Sequence, residues 1–324
     1  MAILYIVILL IGFVGLIKGA DIFVDGSCGV ARIFHVSGLI IGLTIVALGT
    51  SAPEMAVSAL ASVQGSNEIA VSNVIGSNLF NVLMVLGVCS VINPLPVDDS
   101  VRKRDFPVCL IATVAVLLIT GIKVLPFKFI KMPMTENVGM FPRAAGIALL
   151  VGFTVYMVSL VMVAKKNPEE AGEEALMPMW KCIAYIIIGL VFIVGGGKAV
   201  VYGAQNIARL MGLTETLIGL TVVAVGTSLP EMVTSVTAAR KGETGMAVGN
   251  VIGSNICNIM LILGLSAAIH PMPVNTASIW DIIILIAICI LVWIFSTSNR
   301  SINRIEGIVM VACYAADMVF ACLR

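Results

Sequence analysis

A 46-residue stretch that occurs twice constrains this chain more than any other feature. Gly42 to Gly87 reads GLTIVALGTSAPEMAVSALASVQGSNEIAVSNVIGSNLFNVLMVLG, and Gly219 to Gly264 reads GLTVVAVGTSLPEMVTSVTAARKGETGMAVGNVIGSNICNIMLILG. The copies align without a gap at an offset of 177 and share 25 of 46 positions. Such a repeat bears on the whole architecture and is read before any local signal. Each copy also places a Pro-Glu pair, Pro53-Glu54 and Pro230-Glu231, in a segment otherwise apolar enough to be buried. A carboxylate in such a place needs compensation, because an isolated buried charge is expensive.

Composition says what surrounds the repeat. Hydrophobic residues make up 60% of the 324, charged residues 11%, and the mean hydropathy is +1.10. Ordinary soluble domains have about 25% charged and about 45–50% apolar residues, so this is an integral membrane protein. Its apolar runs reach the roughly 20 residues a spanning helix needs and lack the alternation of a barrel. The net charge of +1 and the lack of interleaved basic and aromatic residues exclude a nucleic-acid partner. The N-terminal run MAILYIVILLIGFVGLIKGADIF has no basic leader or small-residue cleavage pattern and reads as a retained first span. Eight cysteines, mostly within apolar runs and with no CxxC pair, read as packing residues.

Apolar segments fall at 2–31, 37–64, 68–92, 106–122 and 143–164, and again at 181–210, 214–240, 245–269, 279–297 and 303–323. The second is broken near Thr50 to Pro53. Asp98 to Asp105 reads as a charged turn, and 123–142 as an ordered interfacial loop. Residues 165–180, KKNPEEAGEEALMPMW, form a polar linker between a first five-helix repeat at 1–164 and a second at 181–324. Because five spans per copy return the chain on the far side, the second copy is inverted relative to the first. The fold expected is all-α integral membrane, with ten transmembrane helices in two inverted five-helix repeats and with helices 2 and 7 discontinuous. Loops after odd-numbered spans carry eleven Lys or Arg and the others six, omitting Lys18 and Lys198 within spans. The positive-inside rule then places both termini outside.

Proline within a helix removes a donor and clashes with the carbonyl four residues back, here that of Gly49 or Gly226. The helix is therefore expected to break at Gly-Thr-Ser-x-Pro-Glu, freeing carbonyls around Ala47 to Thr50 and Ala224 to Thr227. At mid-membrane such groups need a partner other than lipid, and a cation is a natural one. A carboxylate at that depth costs about 2.5–3.5 kcal/mol on insertion scales and commonly marks an ion pathway. Neither motif contains a Lys or Arg to pair with Glu54 or Glu231. Two such carboxylates with Thr and backbone oxygens make an all-oxygen shell suited to a hard cation, Ca²⁺ before a soft metal. Ser51-Ala-Pro-Glu54 and Ser228-Leu-Pro-Glu231 also fit the Ser-x-x-Glu box that restarts a helix, and the two roles can coexist. Ser77 and Asn81, like Ser254 and Asn258, lie at i and i+4 and face one way. Their spacing alone leaves interhelical packing and ion ligation equally open.

GTSAPE with GSNLFN, repeated as GTSLPE with GSNICN, resembles the paired alpha-repeats of the cation/Ca²⁺ antiporter superfamily, especially its prokaryotic Na⁺/Ca²⁺ exchangers. The resemblance covers essentially the whole chain. It implies a secondary antiporter of a prokaryotic cell membrane that exchanges Na⁺ for Ca²⁺ by alternating access, with movement of the first and sixth spans and no cofactor. By position it implies central Ca²⁺ ligands at Glu54, Glu231 and the carbonyls of Thr50 and Thr227. Flanking Na⁺ sites fall on Ala47, Ser51 and Ser77 and on Ala224, Ser228 and Ser254, with Asn81 and Asn258 at the remaining central positions. Some relatives carry Asp at the Asn258 position, including the K⁺-dependent branch, so Asn there argues against K⁺ co-transport. Rival functions are proton-coupled export of Ca²⁺ or another divalent cation, an intramembrane enzyme and a channel. His35 and His270, the only histidines, form no catalytic or metal array. Inverted repeats with discontinuous helices favour alternating access over a channel.

Overall fold

A computed structural model describes residues 2–65, 67–121, 133–166, 177–212, 224–298 and 300–323. The chain is mostly helical. Helix α1 is Ala2–Phe34, α2 is Gly38–Thr50, α3 is Ala52–Val63, α4 is Glu68–Ile92, α5 is Phe106–Gly121 and α6 is Arg143–Lys166. After the linker come α7, Met179–Leu210; α8, Ala224–Thr227; α9, Leu229–Arg240; α10, Thr244–Ile269; α11, Thr276–Ser298; and α12, Arg304–Leu323. Among the described residues, six helices are long and apolar enough to cross a membrane: α1, α4, α6, α7, α10 and α11. The pair α2 and α3, bent by 48°, makes a seventh span if counted as one. Residues 214–223 of the expected 214–240 span lie outside the described residues, as does 167–176 of the linker.

Burial sorts these helices into a centre and a flank. In their most apolar 18-residue stretches, α4 and α10 bury 72% and 78% of residues inside the protein, against 17% in α1 and 28% in α7. Asparagines join α4 to α10. Asn78 Nδ2 donates to the Asn255 carbonyl at 3.2 Å, and Asn255 Nδ2 returns the bond to the Asn78 carbonyl at 3.4 Å. The two partners are related by the repeat offset, so this pair sits on the pseudo-two-fold between the halves.

Outside this centre α1 and α7 lie antiparallel, at 33 and 32 residues each long enough to cross the hydrocarbon layer with tilt. They meet through glycine. A Cβ at Gly196 would stand 2.7 Å from the Gly12 carbonyl oxygen and 2.7 Å from the Leu16 amide, so only glycine allows this approach. Lys241, after α9, ties that helix to α1: its Nζ lies 2.8 Å from Asp25 Oδ1 and 3.6 Å from Asp21 Oδ1, and donates to the Asp21 carbonyl at 3.0 Å. The repeat-related positions are Gln64, Tyr202 and Lys198, which offer no carboxylate.

Two short ladders depart from an all-helical fold. β1, Leu95–Pro96, pairs antiparallel with β4, Ser301–Ile302, and β2, Asn137–Phe141, pairs antiparallel with β3, Met272–Asn275. The end of the expected interfacial loop is thus a strand, while 122–132 lies outside the described residues. The expected charged turn also differs. Val101–Asp105 is a π-helical turn leading into α5, and Asp105 is buried. Arg104 Nε and Nη2 reach Asp105 at 2.7 and 3.0 Å, and the Tyr156 hydroxyl donates to it at 2.9 Å. This charge is tolerated because it is paired and hydrogen-bonded. The seven cysteines described are free.

Candidate ion-binding site

Each repeat breaks its helix where the Pro-Glu motif predicts. Helix α2 ends at Thr50, Ser51 takes non-helical torsions (φ −80°, ψ 5°), and α3 restarts with Pro53 in its first turn. There the missing proline N–H costs nothing, because first-turn donors have no partner within the helix. The same happens at Ser228 (φ −93°, ψ 7°), with Pro230 in the first turn of α9. One expectation is corrected. The Ala47 carbonyl is not freed by the break: it accepts from the Ser51 amide at 3.0 Å and lies 3.4 Å from the Thr50 hydroxyl.

The serines do not close the capping box. Neither makes a side-chain cap to its own helix. Instead each donates across the pseudo-two-fold: Ser51 Oγ to Glu231 Oε1 at 2.9 Å, and Ser228 Oγ to Glu54 Oε1 at 3.0 Å. Both carboxylates are fully buried. Among the described residues neither has a Lys or Arg partner. The structure therefore joins Ser51, Glu54, Ser228 and Glu231 in one polar centre, and Ser77 belongs to it, its Oγ lying 3.1 Å from Ser228 Oγ.

The remaining predicted residues are placed as follows. Thr50 is buried, with its hydroxyl 3.1 Å from the Val46 carbonyl and 3.1 Å from Asn250 Oδ1. Ala47 is buried, and Thr227 is half-buried. Ala224 opens α8, and its side chain lies outside the described residues. Asn81, Ser254 and Asn258 are buried. Asn258 Nδ2 donates to Asn78 Oδ1 at 2.9 Å.

Among the described residues several buried oxygens have no hydrogen-bond partner: Glu54 Oε2, Glu231 Oε2, Asn81 Oδ1, Asn258 Oδ1, Asn255 Oδ1 and Ser254 Oγ. An unsatisfied buried polar atom costs about 1–3 kcal/mol, and more when charged. Acceptors left open in a donor set made only of oxygen fit a hard cation. No cluster of three or more His, Cys, Asp or Glu that could hold a metal occurs among the described residues.

Residues that the ligand motif does not name complete the frame. Asn73 Nδ2 bonds Ser58 Oγ at 2.9 Å and the Glu54 carbonyl at 3.4 Å. Asn250 Nδ2 does the same to Ser235 Oγ at 2.8 Å and the Glu231 carbonyl at 3.5 Å. Their identity at the repeat offset was the available signal. A groove of about 480 Å³ between α3 and α7 abuts the site, walled by Ala52, Pro53, Val57, Val201, Thr227 and Pro230, with Lys198 on its flank.

The sequence profile described as "Sodium/calcium exchanger protein" matches residues 4–162 and 181–323. This chain belongs to the sodium/calcium exchanger family. Sodium/calcium exchanger MaX1 of Methanosarcina acetivorans is 35% identical, covering 96% of this chain and 97% of the relative. Inner membrane protein YrbG of Escherichia coli is 33% identical over 82% of this chain and 79% of its own. The solved sodium-calcium exchanger NCX_Mj, soaked with Na⁺ and Sr²⁺, superposes with a TM-score of 0.83 at 33% identity, covering 98% of this chain and 99% of that one. This exchanger-family chain is an integral membrane cation/Ca²⁺ antiporter, and its family and structural neighbours are transporters rather than enzymes.

Proposed function

We propose that this antiporter exchanges Na⁺ for Ca²⁺ by alternating access, holding Ca²⁺ between Glu54 and Glu231 with the main-chain oxygens of Thr50 and Thr227. Flanking Na⁺ positions would use Ala47, Ser51 and Ser77 on one side and Ala224, Ser228 and Ser254 on the other, with Asn81 and Asn258 at the centre. The observation that carries this reading is the set of unpartnered oxygens on Glu54, Glu231, Asn81 and Asn258. Two carboxylates without a cationic side chain are costly to occlude empty but can close around one Ca²⁺ or several Na⁺. Competition for the same glutamate oxygens makes the transport an exchange.

The proposed frame is ten spans in inverted repeats, 1–164 and 181–324, joined by 165–180, with both termini on the non-cytoplasmic side of a prokaryotic cell membrane. The ladders support that count. β1 and β4 follow the third and ninth expected spans, while β2 and β3 follow the fourth and eighth, so each ladder joins loops of one side.

Ca²⁺ flux in proteoliposomes, with Na⁺, K⁺ and pH gradients imposed one at a time, tests the coupling. A Na⁺ gradient alone is expected to drive Ca²⁺ movement. Flux driven by pH and indifferent to Na⁺ would establish the proton-coupled alternative, in which the same carboxylates carry protons.

A further inference from the structure

We propose that Asn250 is a positioning residue that sets the spacing between the two halves of the ion site by bonding Thr50 of one repeat and the Glu231 helix of the other. This rests on the exchanger reading above. Asn250 is fully buried in α10, and its side-chain amide is used on both ends. The nitrogen donates to Ser235 Oγ at 2.8 Å and lies 3.5 Å from the main-chain oxygen of Glu231. The oxygen lies 3.1 Å from the Thr50 hydroxyl, whose one hydrogen it shares with the Val46 carbonyl at the same distance. Thr50 is the last residue of α2, and the next residue, Ser51, donates to Glu231 Oε1 at 2.9 Å. Glu231 is thus held through its backbone by Asn250 and through its carboxylate by Ser51, and both holds converge on the Thr50–Ser51 break.

Close packing makes this reach possible. A Cβ at Gly249, beside Asn250, would run into the Leu39 carbonyl oxygen, so α10 lies backbone against backbone on α2. The asparagine also has a repeat partner. Asn73 holds Ser58 and the Glu54 carbonyl in the same way, so each repeat anchors its glutamate half-helix to its own buried helix. A buried asparagine with satisfied bonds is commonly a stabilising group and no more. What separates Asn250 from that role is the cross-repeat bond to a residue whose carbonyl is a proposed ligand. Ion affinity, rather than folding alone, must then respond to its loss.

The test compares wild type, Asn250→Ala, Thr50→Val and the double variant in Na⁺-loaded proteoliposomes. It reads half-saturating Ca²⁺, maximal rate and the ion-free thermal midpoint of the purified protein. Asn250→Ala is expected to raise half-saturating Ca²⁺ by about tenfold, the order that loss of a buried hydrogen bond produces. Thr50→Val, which removes the hydroxyl and keeps the carbonyl, is expected to move it in the same direction. The effect of the double variant should fall short of the product of the two single effects, because both remove the Asn250–Thr50 contact. Should Asn250→Ala fail to fold, the near-isosteric Thr50→Val carries the test. A lowered thermal midpoint with unchanged half-saturation would reduce Asn250 to a structural residue, and so would independent multiplication of the two effects. Either result, with wild-type exchange present, overturns this assignment and leaves the exchanger reading standing; absent wild-type exchange overturns both.

Discussion

At the scale of single residues the decisive feature is that Ser51 and Ser228 serve the opposite half rather than their own. A local capping bond would have satisfied each helix start. Giving it up leaves each glutamate with one oxygen held by a hydroxyl from the other repeat and one oxygen open. Replacing the open oxygen's charge is the most direct test. Glu54→Gln and Glu231→Gln should each abolish Ca²⁺ exchange while the protein still extracts and purifies as a folded species; wild-type flux in either would move the site elsewhere. Ser51→Ala should weaken ion binding by about tenfold or more, since a hydrogen bond to a charged group contributes about 1.5–3 kcal/mol. Half-saturation measurements for Na⁺ and Ca²⁺ check it. The glutamates were legible in the sequence because a charge in an apolar, repeated segment stands out. The serines were ambiguous, since one spacing serves capping and ligation alike. Asn73 and Asn250 showed only as one identity among 25 at the repeat offset, which does not tell a framing residue from a packing one.

At the scale of elements the breaks at Thr50–Ser51 and Thr227–Ser228 followed from proline chemistry, but their reach did not. The helix keeps its Ala47 carbonyl bonded, so the opening is narrower than the motif suggests. Nor did the sequence announce the π-helical turns at Phe80–Val85 and Cys257–Ile262, which fall at the same offset and contain Asn81 and Asn258. Such turns occur often at functional sites. They arise from packing around a helix and carry no residue signature. The α1–α7 contact is open to a simple test. Gly196→Ala drives a methyl to within 2.7 Å of the Gly12 carbonyl oxygen and should destabilise the protein by about 1–3 kcal/mol, seen as a lower thermal midpoint in detergent. Gly195→Ala, which meets nothing within 4 Å, should leave that midpoint unchanged. Equal midpoints in the two variants would mean that the helices do not need this closeness.

At the scale of the whole molecule the doubling of the chain was plain from the offset alone, whereas the ladders linking distant loops were not. Short strands such as Leu95–Pro96 give too few residues for an alternation to register. The proposed exchange makes an electrical prediction. If more than two Na⁺ move per Ca²⁺, each cycle carries net charge and feels about 2.3 kcal/mol per charge per 100 mV. Exchange in vesicles should then speed up or slow down with an imposed potential according to its sign. Rates indifferent to potential would make the cycle electroneutral.

The clamp of Lys241 on Asp21 and Asp25 breaks the equivalence of the two faces. An inverted repeat without departures would be the same machine viewed from either side of the membrane. Here one end of the bundle is fastened by charge, and the repeat-related end carries Gln64, Lys198 and Tyr202. An exposed ion pair contributes only about 0.2–1 kcal/mol, yet a pair made in one proposed state and absent in the other would make the two unequal in population by up to several-fold. Ion gradients alone still fix the equilibrium, but the top speeds of the forward and backward cycles need not match. Within the proposed cycle, a fastening made in one state and broken in the other would set the forward and backward directions apart.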